Sequence, residues 1–361
     1  MPDERRARLL ALYLPQFHPI PENDTWWEPG FTEWTNVSRA RPLYAGHLQP
    51  RLPGELGFYD LRVPEVRAAQ AALAQTHGIE AFCYWHYWFA GRRLLERPFD
   101  EVLHTQTPDF PFCLAWANQT WSGIWHGAPG RVLIEQTYPG DNDHRAHFAA
   151  LLPAFADRRY VRVDGRPVFF VYRPAQLPEP QRFAALWRDL ARQHGLGGLF
   201  LVGQHEADWD PIANGFDARV PLEMPKWRPP DTSTPLSRVA RRLRRAVRPR
   251  PLDEGPAVLD YATVFRNVYE GRLAPHEFPL VMSNWDNTPR CGRRGSVLAN
   301  STPEAFAAYL RRAIAQVRDR PLDQRLVMIR SWNEWAEGNY LEPDQKFGRG
   351  YLEAIQRVLK E

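Results

Sequence analysis

Three cysteines in 361 residues, Cys83, Cys113 and Cys291, are odd in number and form no CxxC pair. That pattern excludes a disulfide framework and a cysteine-based zinc site. Cys83 and Cys113 lie inside apolar runs, where a free cysteine behaves as a small hydrophobe. No apolar stretch approaches the roughly 18 residues of a membrane span. The N-terminal run Leu9–Leu14 stops at Pro15, is shorter than a signal-peptide core and has no small-residue cleavage site after it. A cytoplasmic location is the expectation. GxGxxG, HExxH, GxSxG and the phosphate loop GxxxxGK with Ser or Thr are all missing. No metal and no organic cofactor are therefore expected, and the absence of a recognisable module argues against a nucleic-acid partner.

What the chain does have is aromatic side chains among polar ones. It carries 14 Trp and 19 Phe within an otherwise ordinary composition of 44% apolar and 24% charged residues. Scattered tryptophans fill cores. Tryptophans grouped with Asn, Gln, His and Glu point to a ligand-lined cleft. The net charge of +4 is a local property. Residues 238 to 250 hold seven arginines and no acid, and the remainder carries 39 basic against 42 acidic residues.

Eight strand-like runs recur: Leu9–Leu14, Ile79–Tyr84, Phe112–Ala117, Pro167–Tyr172, Leu199–Val202, Ala218–Val220, Leu280–Ser283 and Leu326–Arg330. Helical spacing appears between them. Val63 to Thr76 places Val66, Ala69 and Leu73 on one face and ends at Gly78. Pro303 to Val317 aligns Phe306, Tyr309, Leu310 and Ile314 after a Ser301 or Thr302 cap. Alternating strands and helices predict a parallel sheet, and eight strands predict an α/β fold closed into one (β/α)₈ TIM barrel over residues 1–361. Two long inserted loops interrupt it, Pro15 to about Tyr59 and the basic stretch 226–256.

The residues just past these strands carry the functional signal, because barrel active sites form where the strand ends converge. The last strand opens into Ser331-Trp332-Asn333-Glu334-Trp335-Ala336-Glu337-Gly338. Two carboxylates flanking one bond are the minimum equipment of glycosidic-bond chemistry, one of them holding a proton at neutral pH. Glu334 and Glu337 are the candidate catalytic pair; the bland alternative is a surface pair on the last loop. Candidate sugar contacts are Tyr84, His86 and Trp88 after the second strand, Trp116, Asn118 and Gln119 after the third, and His205 and Glu206 after the fifth. Trp285, Asp286 and Arg290 after the seventh, with Asn333 and Trp335, complete the set. Alternation along Tyr84–Phe89 assigns Tyr84 and His86 to the cleft and Cys83 and Trp85 to the outside; for His86 a core position is an equal reading.

Two DxD triplets, Asp141-Asn142-Asp143 and Asp208-Trp209-Asp210, follow no nucleotide-binding unit and are read as chance. The segment Leu236 to Val247 spaces Leu236, Val239, Ala240, Leu243 and Val247 at helical intervals with arginines opposite. A solvated helix is one reading. A helix lying on an anionic membrane surface or on a phosphate-bearing glycolipid is the sharper one, giving peripheral contact with the inner membrane through residues 238–250.

Five segments together resemble the WbsX-type family, described as glycosyltransferases of bacterial polysaccharide biosynthesis and related to glycoside hydrolase family 99. They are Tyr13–Pro19, Gly30–Trp34, Tyr84–Trp88, Trp285–Arg290 and Trp332–Gly338, and the resemblance runs from about Leu9 to about Leu359. It implies a (β/α)₈ endo-α-mannosidase-like barrel with a retaining mechanism through a 1,2-anhydro sugar. By resemblance Glu334 is the base for the sugar 2-hydroxyl and Glu337 the acid/base at the glycosidic oxygen. The hydrolases usually carry His where this chain has Ala336, so the resemblance carries over the acid pair but not the α-mannoside. The expectation is an endo-acting, retaining glycoside hydrolase-like enzyme of O-antigen, capsule or exopolysaccharide metabolism, cleaving or transferring a glycosidic bond of a polysaccharide or lipid-linked oligosaccharide. The alternatives are a nucleotide-sugar glycosyltransferase of lipopolysaccharide biosynthesis and a non-catalytic glycan-binding barrel.

The membrane reading has a direct test. Replacing Arg241, Arg242, Arg244 and Arg245 by Gln is expected to abolish co-sedimentation with anionic vesicles. An intact chain that never sediments with them ends the idea.

Overall fold

The computed structural model describes residues 6–123, 128–205, 209–221 and 255–361. Eight parallel strands form the centre: β1 (Arg8–Tyr13), β2 (Ala81–Phe89), β3 (Phe112–Trp116), β4 (Arg166–Val171), β5 (Phe200–His205), β6 (Ala218–Pro221), β7 (Leu280–Val281) and β8 (Leu326–Ile329). Their order around the sheet is β6-β5-β4-β3-β2-β1-β8-β7. Each expected run is a strand, and every neighbouring pair on this path is parallel. The ring is nearly closed between its two ends. Arg219 on β6 donates its N–H to the His276 carbonyl at 2.8 Å and accepts from the Phe278 N–H at 2.9 Å, just before β7. The Arg219 side chain holds Glu277 across the same seam.

Helices cover the outside: α1 (Pro64–Thr76), α2 (Arg97–Thr105), α3 (Asp141–Ala156), α4 (Pro180–Gln193), α5 (Pro303–Val317) and α6 (Gly350–Lys360). The two helices expected from spacing are α1 and α5. Thr302 caps α5, its side chain accepting from the Ala305 N–H at 3.2 Å. β1 is buried at all six positions, as parallel strands flanked by helices require. Trp187, Phe155 and Phe169 pack between α4, α3 and β4 in the helix-facing layer of the core.

β2 differs from expectation. It runs to Phe89, well past Tyr84, and folds back on the short strand Arg92–Leu94 through the pairs Tyr87–Leu94 and Phe89–Arg92. Six consecutive aromatic or imidazole side chains favour extended backbone, so the strand continues above the barrel rim where a loop was expected. The first inserted loop is ordered by its own rings. Helix Glu33–Arg39 starts with a capping box between Thr32 and Thr35, and Trp34 lies against Phe17, Tyr59 and Trp335 with centroids 4.8, 5.1 and 5.5 Å away. The second insert, 226–256, lies outside the described residues except for Gly255 and Pro256. Among the described residues no helix is long and apolar enough to cross a membrane.

Gly78 ends α1 with φ +87°, and the Ile79 N–H reaches back to the Ala74 carbonyl at 3.0 Å. A Cβ there would lie 2.4 Å from Leu359 Cδ1 on α6. Gly78→Ala is therefore expected to cost about 1–3 kcal/mol of stability, read from the urea midpoint at unchanged slope.

Candidate active site

β8 ends at Ile329, and the chain makes a tight hairpin over its mouth. Asn333–Glu334 pairs with Asn339–Tyr340, and the turn Trp335–Glu337 lies between them. Gly338 closes the turn at φ +59°, where a Cβ would fall 2.9 Å from the Asp286 backbone nitrogen. The two glutamates thus stand at opposite ends of one turn. Glu337 is tied to the loop after β7, since the Asp286 N–H donates to its carbonyl at 2.6 Å.

A layer of polar contacts fixes this hairpin from beneath. Glu342 accepts from the Trp332 and Trp335 indoles at 2.9 and 2.7 Å, the Tyr59 hydroxyl at 2.8 Å and the Gln70 amide at 2.6 Å. Burial pushes its carboxyl up to about 7, against donors that favour the charged form. Asn333 latches the hairpin to the end of β1. Its Oδ1 accepts from the Leu14 N–H at 2.7 Å and its Nδ2 donates to the Leu14 carbonyl at 3.0 Å.

One guanidinium organises the acids. Arg290 Nη1 donates to Glu337 at 2.8 Å and to Glu334 at 3.2 Å, and Nη2 donates to Glu33 at 2.6 Å. Glu33, 1% exposed, also accepts from the Ala336 N–H at 3.1 Å. Burial raises the Glu337 carboxyl to about 7; the Glu334 charge adds to the rise and Arg290 opposes it. Burial likewise raises Glu33, again against Arg290. A cation shared among three carboxylates cannot ionise all of them as fully as a dedicated partner would.

These groups line a cleft of about 340 Å³ at the strand ends. Of the residues singled out by sequence, Glu334, Glu337, Gln119, Trp285 and Arg290 reach it. Others do not. On β2 the alternation is opposite to expectation: Trp85 and Tyr87 line the cleft, whereas Tyr84, His86 and Trp88 face the helices. Tyr84 packs on Phe99, and His86 Nε2 lies 2.8 Å from His147 Nε2. Trp88 stacks on His147 and donates to Asp143 at 3.1 Å. Burial holds both imidazoles well below the usual histidine range. The reason lies in β3, whose alternate residues Cys113 and Ala115, followed on the same side by the cleft residue Ala117 just past its end, are small and face the narrow interior. Cys83 and Trp85 are in register with Cys113 and Ala115, so they must share that face.

Trp116 is wholly buried against His147 and Phe183. Asn118 ties two loops together through Tyr138 and both backbone groups of Arg173. Asp286 is buried and accepts from His47 and Gln49 at 2.8 and 2.7 Å and from the Thr288 hydroxyl at 2.6 Å. Trp335 stacks on Tyr340, centroids 3.8 Å apart, and Asn333 is the latch already described. These five are framework, contrary to their assignment as sugar contacts. Glu206 and the His205 side chain lie outside the described residues. Sequence reasoning missed Glu33, Asn23, Trp121 and Arg330, all of which line the cleft. For Glu33 a signal existed: an acid within an aromatic loop segment, at the start of a helix.

The paired acids thus stand past the last strand of an eight-stranded parallel barrel, on the face where barrels of this class carry their functional groups. The chain belongs to the family described as glycosyltransferase WbsX, whose model matches residues 9–355. It is 43% identical over 99% of its length to an uncharacterized protein WxcX of Xanthomonas campestris pathovar campestris, and 42% identical to the WxcX of a second strain. The chain spans about half the length of these relatives, 50% of each. Among solved structures, the fold is similar to the glycoside hydrolase family 99 endo-α-mannosidase of Bacteroides thetaiotaomicron, with TM-score 0.56 at 13% identity over 99% of this chain and 96% of the other. A glycoside hydrolase-like protein matches with TM-score 0.59 at 14% identity, covering 99% and 94%.

Removing the Asn333 latch leaves the buried Leu14 N–H and carbonyl unpaired. Asn333→Ala is expected to cost about 2–4 kcal/mol in urea unfolding, and to loosen the turn that carries both acids.

Proposed function

We propose that the chain acts on a glycosidic bond of a bacterial surface polysaccharide or its lipid-linked precursor, with Glu334 and Glu337 as its reacting carboxyls. The observation that carries the reading is the single Arg290 nitrogen bonded to both acids. Two oxygens so placed lie within about 6 Å of each other, nearer the roughly 5–5.5 Å of retaining enzymes than the wider spacing of inverting ones. The roles divide by environment. Glu337, raised to about 7 by burial, still carries its proton in about half of the molecules at neutral pH, where an ordinary glutamate would carry almost none, and suits the general acid. Glu334 suits the base.

In the retaining route, Glu334 takes the proton of the sugar 2-hydroxyl, and O2 attacks C1 from the face opposite the leaving group. Glu337 gives its proton to the departing glycosidic oxygen, leaving a 1,2-anhydro sugar. A hydroxyl then attacks C1, giving its proton to Glu337, while O2 regains the proton from Glu334. Water as the attacking group gives hydrolysis. A sugar hydroxyl gives transfer, which agrees with the family's description as glycosyltransferases. Endo action and contact of segment 238–250 with the inner membrane belong to the same proposal.

Glu334→Gln and Glu337→Gln are each expected to lower oligosaccharide release from the cognate glycan by about 10²–10⁴-fold. Unchanged release from both ends the assignment. In the unaltered chain kcat/KM should fall as pH rises through about 7, as Glu337 loses its proton. Arg290→Met, which removes the charge opposing that rise, should move this limb to higher pH in whatever activity remains.

A further inference from the structure

Arg330 stands out among the arginines of the barrel mouth. Arg290 binds three glutamates, Arg219 binds Glu277, and Arg51 lies 3.8 Å from Asp286. Arg330 lines the same cleft as the acids, yet its side chain makes no hydrogen bond or ion pair with any described residue. Its Nε is fully buried and has no acceptor among the described residues. Its position is nonetheless set. The backbone N–H donates to the Val281 carbonyl at 2.8 Å, and the guanidinium carbon sits 5.2 Å over the Trp285 ring.

A half-buried cation without a hydrogen-bonded acceptor is costly, and a guanidinium spread on an indole face is a rigid, weakly hydrated fork. Countercharge for the acids is the competing account, and Arg330 does lower the Glu337 carboxyl from a distance, but among the described residues the ion pairs of all three acids are made by Arg290. On the same cleft, Asn23 is 1% exposed and has neither amide atom bonded to a described residue. Buried polar atoms left open on one cleft are free to take partners from a ligand or from solvent.

We infer that Arg330 is a specificity-determining residue that takes an anionic substituent of the glycan, a uronate carboxylate or a phosphate ester, while Trp285 supports the guanidinium plane. Such a group needs this particular cation. Elsewhere in the cleft it would face the carboxyl groups of Glu33, Glu334 and Glu337 in place of a cation, and both oxyanions match the guanidinium fork bidentately.

This inference rests on the glycan-site reading above, and its test is separated from turnover by working in the Glu337→Gln chain. Methyl β-D-glucuronide, glucose 1-phosphate and the neutral methyl β-D-glucoside are titrated in turn, with binding followed by ligand-observed NMR. At least one acidic probe is expected to bind about tenfold or more tighter than the neutral one; which one does so separates uronate from phosphate. Arg330→Gln should remove that preference while leaving the neutral probe's affinity in place, and Arg330→Lys should keep part of it. Equal binding of acidic and neutral probes, no acidic binding, or a preference that survives Arg330→Gln overturns the inference. Loss of turnover in Glu337→Gln bears on the glycosidic reading alone.

Discussion

Arg290 and the three glutamates around it hold the site together. Glu33 comes from the first inserted loop, Arg290 from the loop after β7, and Glu334 and Glu337 from the hairpin after β8. These loops are distant in sequence and meet at one guanidinium. At an effective dielectric near 20, each contact at hydrogen-bond distance amounts to a few kcal/mol before desolvation is subtracted. Burial, helped by the Glu334 charge, raises Glu337 to about 7, and the shared cation holds that rise down. The ion assembles the site, and burial of Glu337 beside it sets which acid can donate.

The tier below converts conspicuous residues into framework. Trp332 and Trp335 look like sugar platforms, yet their indoles point at Glu342 and their rings are buried. Asn333 spends its amide on Leu14. In the octapeptide from Ser331 to Gly338, only the two glutamates line the cleft. The others give the turn a single conformation, with Gly338 closing it at positive φ. Rigid support of this kind is what a carboxyl pair needs to hold a fixed separation.

All eight strands were legible in the sequence because buried parallel strands are short apolar runs between helical spacings. The capped helix after β7 was legible for the same reason, from its Thr302 and four aligned apolar positions. The acid pair was legible because it follows the last strand directly. The facing of β2 was not. When every residue in a run is aromatic or imidazole, alternation carries no sign, and here the sign is set by small residues on the neighbouring strand, Cys113 and Ala115. Nor could spacing separate a polar residue that meets a ligand from one that meets another loop. Asn118 and Asp286 share strand-end positions with Gln119 and Trp285, and only three-dimensional packing tells them apart.

Glu33 arrives on an insertion rather than on the barrel, and it touches both the Arg290 cation and the Ala336 amide. The eight-stranded scaffold is therefore chemically incomplete without that loop. Recombination that exchanged this segment for another would have to bring its own anion at the same point, or leave Arg290 with one partner fewer and the remaining acids with altered proton affinities. Diversification of the binding surface and preservation of acid strength are thus tied to one side chain. Changes of substrate should accumulate on the far walls of the cleft sooner than on the helix Glu33–Arg39.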